Sequence, residues 1–219
     1  MALGAFETAG NTNEDIGDIP PKAIFILGSG GFALELGVYF STTYSAAIFY
    51  VDGHVDETNS NLNIISLNKY YEIMALNRPN FVSIMGSGTS TIKLKMLQEI
   101  REPLITFKHP QAVIYGKIGK GSVIGPCAVI APNSVIGKHV LINYGASIGH
   151  NAIVEDLVVI SPSASIGGRC KIGRGAYIGA GANIKEGLEI GVGATIGMGS
   201  VVIKNVPAGV TAVGVPARW

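Results

Sequence analysis

The feature that most constrains this chain is a period of six. Starting at Ile118, every sixth residue is Ile or Val up to Val202. The series runs through Ile124, Ile130, Ile136, Ile142 and Ile148, then Val154, then Ile160 and onward, fifteen positions without a break. Neither the 3.6-residue period of an amphipathic helix nor the two-residue alternation of a half-buried strand gives six. A fixed short repeat of this kind signals a solenoid. Two residues before the aliphatic position the side chain is usually small, as at Ser122, Ala128, Ala146, Ala164, Cys170 and Ala182. The residue after it is often glycine, as at Gly119, Gly125, Gly149, Gly167 and Gly179. The expected unit is a short strand with one large inward side chain, then a tight turn. The small residue fits the crowded inner corner, and the glycine serves a turn with positive φ.

This pattern resembles the hexapeptide repeat of the left-handed parallel β-helix acyltransferases, in which three hexapeptides form one triangular coil of about eighteen residues. That resemblance implies five coils stacked about 4.8 Å apart. In this frame Cys170 packs at an inner corner, and Cys127 is expected to be unreactive. The two cysteines form no metal or redox motif.

Residues 22–110 read differently. Ala23–Leu27 is an apolar strand entering Gly28-Ser29-Gly30-Gly31-Phe32-Ala33, followed by a helix to about Tyr39. A second strand covers Ala47–Val51 and ends at Asp52. A third, Asn80–Met85, enters Gly86-Ser87-Gly88-Thr89-Ser90 and a helix to about Arg101. Alternating strands and helices imply a small parallel sheet that binds ligands at the carboxyl ends of its strands. Glycine turns there leave backbone N–H groups free for a phosphate, and Asp52 stands near the spacing of a ribose-binding acid. The expected organisation is a flexible tail over 1–21, a Rossmann-like α/β nucleotide-sugar domain over 22–110 and a left-handed β-helix over 111–219.

Composition narrows the function. The 219 residues carry a net charge of +1 with no basic run, which argues against nucleic acid. Only 14% are charged and 47% are hydrophobic. So sparse a charged surface suggests burial against other subunits. No apolar run is long enough to span a bilayer, and Met1–Pro21 lacks a basic start and an apolar core, so a cytoplasmic location is expected. The four histidines are His54, His109, His139 and His150. Two of them fall in the coils, eleven residues apart, a spacing that does not stack them, so no metal site is expected. A nicotinamide-dependent oxidoreductase is a competing reading of the front domain. Fewer than ninety residues precede the coils, too few for the usual six-stranded dinucleotide fold, and the β-helix would be left without a task. A purely structural β-helix that assembles subunits is a third.

The segment Asn143-Tyr144-Gly145-Ala146-Ser147-Ile148-Gly149-His150 and the closing Val213-Gly214-Val215-Pro216-Ala217-Arg218 are similar to those of the sugar O- and N-acetyltransferases. That family includes the sialic acid O-acetyltransferases and the bacillosamine-pathway enzyme PglD, and the resemblance runs from about Lys22 to the end. It implies acetyl transfer from acetyl-CoA, with His150 as general base. Histidine suits that task because its ordinary pKa of about 6.5 leaves it mostly neutral near pH 7. Eighteen residues on from His150, Gly168 should lie one coil above it, where the resemblance makes its N–H the donor to the thioester carbonyl. The resemblance also assigns Asn143 to the acceptor sugar.

By the same analogy Ser161, Gly179, Ala180 and Gly197 line the coenzyme groove between subunits of a homotrimer, and Lys204 or Arg218 meets the 3′-phosphate. Gly28, Ser29, Gly30, Gly31, Asp52, Gly86 and Ser87 are expected to hold the nucleotide. The acceptor expected is a UDP- or dTDP-linked 4-amino sugar, with O-acetylation of a sialic acid, or transfer to another small amine, as the alternatives. There are two departures from the family pattern. Asn151 replaces the acid that follows the histidine, with Glu155 or Asp156 as candidate substitutes. Phe32 stands where similar glycine loops often carry histidine. His139 matches no motif and is expected to have a surface role.

Overall fold

The computed structural model describes residues 21–52, 63–75, 81–88, 90–100 and 104–219. The expected tail and His54 lie outside the described residues. Contacts divide the chain into two compact units, with the boundary between Phe107 and Lys108.

The front unit begins with β1 (Ala23–Leu27), α1 (Gly31–Thr43) and β2 (Ala47–Asp52). It continues with β3 (Ile64–Ser66), α2 (Leu67–Ala75), β4 (Phe81–Met85) and α3 (Ser90–Glu99). All four strands are parallel, in the order β3-β2-β1-β4. The sequence reading found β1, β2, β4 and their neighbouring helices but not the β3–α2 pair. β1 is buried along its whole length because both faces of the sheet are covered. On one face Phe25, Leu27 and Val51 share a core with Tyr70, Met85, Ile100 and Leu104. Tyr70 is fully buried, and its hydroxyl is hydrogen-bonded to Ser83 Oγ at 2.9 Å. The chain runs outward from β1 in both directions, so β1 and β4 flank a topological switch point.

The second unit is a parallel β-helix of two-residue strands. Three faces recur along the chain. The first carries Lys117–Ile118, Val135–Ile136, Ile153–Val154, Lys171–Ile172 and Glu189–Ile190. The second carries Val123–Ile124, Leu141–Ile142, Val159–Ile160, Tyr177–Ile178 and Thr195–Ile196. The third carries Val129–Ile130, Ser147–Ile148, Ser165–Ile166, Asn183–Ile184 and Val201–Val202. Each strand pairs in parallel with the strand eighteen residues on, as in Ile130↔Ile148↔Ile166↔Ile184↔Val202. The inward aliphatics and the small corner residues form one core, in which Ala128, Ala146, Ala164 and Ala182 are fully buried. The last turn is two residues shorter, since Val206 bridges to Ile190. The chain then closes in an antiparallel pair between Thr211–Gly214 and Ala217–Arg218.

The glycines that follow the aliphatic residues have a different role from the one expected. Positive φ falls two residues later, at the third position after the aliphatic. Gly145 and Gly175 hold it, but so do Cys127, Asn133, His139, Asn151, Leu157, Ser163 and Arg169. The glycine directly after the aliphatic is needed for close approach instead. A Cβ on Gly149 would lie 2.4 Å from the Gly168 nitrogen, and one on Gly167 2.5 Å from the Glu186 nitrogen. At these corners adjacent coils leave no room for a side chain.

Candidate active site

Each turn of the β-helix spends its backbone donors in a fixed way. Most N–H groups at the first and third positions after the aliphatic bond to neighbouring coils, and no backbone acceptor takes the second. Pro126, Pro132 and Pro162 remove that second donor altogether. Side chains cap others: Asp156 Oδ1 accepts from the Lys138 N–H at 2.7 Å, Glu155 Oε2 from Arg174 at 2.8 Å, and Asn143 Oδ1 from Tyr144 at 2.8 Å. At Gly168 the second-position N–H takes no partner among the described residues.

His150 stands one coil below that free donor. Ile148 pairs with Ile166, and the Arg169 N–H donates to the His150 carbonyl at 2.8 Å. A Cβ on Gly168 would sit 2.7 Å from His150 Nε2, so only glycine leaves the ring its place. His150 Nδ1 lies 2.9 Å from Asn151 Oδ1. An amide oxygen can only accept, so Nδ1 carries the proton and Nε2 presents its lone pair. Asn151 is itself in the left-handed region, with φ 59, a conformation asparagine tolerates better than most residues. It thus turns the chain and orients the ring together.

Glu155 and Asp156 do not substitute for the missing acid. They occupy the corner between the first and second faces, where they cap Arg174 and Lys138. Glu155 also faces Lys171 Nζ at 3.8 Å. His139 sits at that kind of corner too: a Cβ on Gly121 would meet its Nδ1 at 2.3 Å, and its N–H donates to the Lys120 carbonyl. Cys170 is buried with Sγ 3.1 Å from the Lys185 carbonyl, and burial pushes its thiol pKa up. Cys127 is exposed in a left-handed turn.

The other coil residues fall into two files. Asn143, Ser161, Gly179 and Gly197 stack in one file at the corner between the second and third faces, eighteen residues apart, with Ala180 beside Gly179. His150, Gly168, Glu186 and Lys204 form the file at the other edge of the third face, each two residues beyond a paired aliphatic. One chain therefore places Asn143 and His150 on different corners, separated by the strand Ser147–Ile148. On that strand Ser147 Oγ and Ser165 Oγ are 3.2 Å apart. Arg218 lies in the terminal pair, its Nη1 donating to the Ala217 carbonyl at 3.0 Å.

In the front unit, all seven residues expected to bind nucleotide line a single cavity of about 510 Å³ at the carboxyl ends of the strands. Gly28 has φ +123, and a Cβ there would lie 3.4 Å from the Gly86 carbonyl, so the two glycine turns abut. Ser29 Oγ donates to Asp52 Oδ2 across the opening. Both α1 and α3 begin at this edge, with their amino-terminal dipoles toward it. The sequence reading did not place Leu67, Ile92, Lys95, Met96 and Ile100 on the wall, nor Phe32. The spacing of Ile92, Lys95 and Met96 on one helix face was the available signal.

Among the described residues no group of three or more His, Cys, Asp or Glu could hold a metal ion, and no helix is long and apolar enough to cross a membrane.

No protein-family model matches the sequence, and no curated protein does. Solved structures do match. WeeI from Acinetobacter baumannii AYE is 30% identical with a TM-score of 0.80, over 90% of this chain and 98% of that one. The acetyltransferase domain of PglB from Neisseria gonorrhoeae FA1090, in complex with acetyl coenzyme A, is 26% identical with a TM-score of 0.77 over the same shares. A perosamine N-acetyltransferase mutant from Caulobacter crescentus, in complex with CoA and GDP-perosamine, shares the fold at 23% identity, with a TM-score of 0.81 over 90% of this chain and 95% of that one. With a likeness of this extent running through both units, the chain belongs to the PglD/NeuD-like family of hexapeptide-repeat sugar acetyltransferases.

Proposed function

We propose that the protein transfers the acetyl group of acetyl-CoA to the amino group of a nucleotide-linked amino sugar, of the UDP- or dTDP-4-amino-sugar type, with His150 as general base. The observation that carries this reading is the pairing of His150 and Gly168. Asn151 holds the proton on Nδ1, and the Nε2 lone pair stands beside an unspent backbone donor. The acceptor amine attacks the thioester carbonyl while Nε2 removes its proton, and the Gly168 N–H stabilises the developing oxyanion. Collapse of the tetrahedral intermediate forms the amide and breaks the C–S bond, and the imidazolium returns its proton to the departing thiolate.

The cavity of the front unit supports a nucleotide-linked acceptor, because glycine turns, two helix amino termini and Asp52 meet there. The coenzyme assignment follows the acetyl-CoA complex of the PglB domain. Free second-position N–H groups at Ala180 and Met198 give the Asn143 file main-chain donors for a pantetheine arm. Lys204, on the His150 file, or Arg218, in the terminal pair, supplies the cation for the 3′-phosphate. A homotrimer with shared sites accounts for Asn143 and His150 standing on different corners, and for the exposed Val129, Val135 and Ile153. Acetyl-CoA is available in the cytoplasm, which is the proposed location.

The test is thiol release from acetyl-CoA with a panel of nucleotide-linked 4-amino and 3-amino sugars and sialic acid. Turnover of an amino sugar that falls about 10²–10⁴-fold in kcat in His150→Ala, and only a few-fold in His139→Ala, is the expected result. Turnover of sialic acid alone would replace N-acetylation with O-acetylation. A fully active His150→Ala would remove the assigned base.

A further inference from the structure

Among the described residues lining the front cavity, Asp52 and Lys95 are the two with formal charge, and they come from opposite flanks of the sheet. Asp52 ends β2, whereas Lys95 stands on α3, which follows β4. β1 and its Gly28 turn lie between those strands. The Asp52 carboxylate accepts a hydrogen bond from Ser29. Lys95 is exposed and makes no ion pair with any described residue. An exposed lysine elsewhere would be ordinary solvated surface. This one shares a helix face with Ile92 and Met96, and all three line the cavity of about 510 Å³.

The residue entering the cavity from the first glycine turn is Phe32. Its side chain offers no hydrogen-bond donor. Backbone N–H groups, the Ser29 and Ser87 side chains and Lys95 line this cavity, and Lys95 alone among them carries a positive charge. Backbone donors are neutral and serve one phosphate or two. A full positive charge favours the ligand that brings more negative charge. The diphosphate of a nucleotide-linked sugar carries two negative charges, whereas a nucleoside carries none.

We propose that Lys95 is the diphosphate-selecting residue of the acceptor site. It pairs with the diphosphate and makes this a site for nucleoside diphosphates rather than for nucleosides. The inference rests on the cavity being the nucleotide site of the proposed function.

Calorimetric titration of the full chain with UDP, dTDP and GDP, their monophosphates and their nucleosides tests it, in the wild type and in Lys95→Gln and Lys95→Arg. Lys95→Gln is expected to weaken the preferred diphosphate about five- to tenfold while leaving its nucleoside unchanged. Lys95→Arg should stay within about threefold. In turnover, Lys95→Gln should raise KM for the nucleotide sugar more than it lowers kcat. Unliganded melting temperatures of the variants report whether the helix itself has changed. Equal weakening of diphosphate and nucleoside, or no weakening in Lys95→Gln, overturns the role of Lys95 and leaves the nucleotide site standing. A wild type that binds none of the diphosphates overturns the nucleotide site and the role of Lys95 together.

Discussion

The two units of this protein build their sites in opposite ways. In the β-helix almost every residue has a fixed neighbour eighteen positions away, so the site is built into a regular lattice. His150 takes a turn position one coil below Gly168, whose second-position N–H is uncapped, as are those of Ala180 and Met198. In the front unit nothing repeats. Its cavity exists because a crossover carries the chain from β3 past β2 and β1 to β4, bringing the Gly28 and Gly86 turns together. A lattice is intolerant of added atoms but indifferent to most outward side chains. An open sheet edge tolerates side-chain changes and depends on the packing behind it.

The largest effect expected from that contrast comes from a single methyl group. Gly168→Ala would put a Cβ 2.7 Å from His150 Nε2, so the ring must leave its position. We expect kcat to fall by about 10²-fold, the scale of a misplacement near 1 Å. Near-wild-type turnover would show that the coil can yield at this corner and that the lattice description is too rigid. Adding a Cβ to Gly30, with nothing within 4 Å of it, should leave the melting temperature of the front unit within a few degrees.

A smaller and more informative effect is expected at Asn151. Asn151→Asp preserves a side chain that tolerates the left-handed turn and replaces a neutral acceptor by an anionic one. A carboxylate favours the protonated imidazole, so the histidine pKa should rise, and the acid limb of the pH–rate profile should move to higher pH. An unmoved limb would mean that the residue at 151 turns the chain without orienting the base. Glu155 and Asp156 give no rival explanation, since both are committed to backbone caps at another corner.

The smallest effect concerns stability and belongs to the front unit alone. Lys93 on α3 is 3% exposed, and burial lowers its pKa to about 7. In the unfolded chain a lysine keeps its proton to about pH 10.4. Between those values the unfolded state binds more protons, so stability should rise with pH from about 7 towards 10. Lys93→Met should flatten that rise and increase the melting temperature at pH 7.5 by a few degrees. If the slope survives in the variant, its source lies elsewhere. An open sheet edge should respond in this graded way, whereas the coil corner at Gly168 should not.

Much of the β-helix could be counted out from the sequence. The period of six placed every inward aliphatic, and adding eighteen to His150 led to Gly168. The glycine turns and Asp52 of the front unit were also legible, because strand–glycine–helix junctions have a local chemical signature. The β3–α2 pair was not, since Ile64-Ile65-Ser66 is too short to show alternation. Nor was the reason glycine so often follows the aliphatic, since contact between coils depends on atoms about eighteen residues away.

The sequence by itself determined the repeat, its register and the placing of Gly168 one coil from His150, because a solenoid turns spacing along the chain directly into distance along one axis. The tertiary structure alone decided which N–H groups remain free, that Glu155 and Asp156 face away from His150, and that Lys95 joins Asp52 around one cavity. Those relations depend on side-chain direction and on a crossover between strands that are not adjacent in sequence, and neither has a period to read.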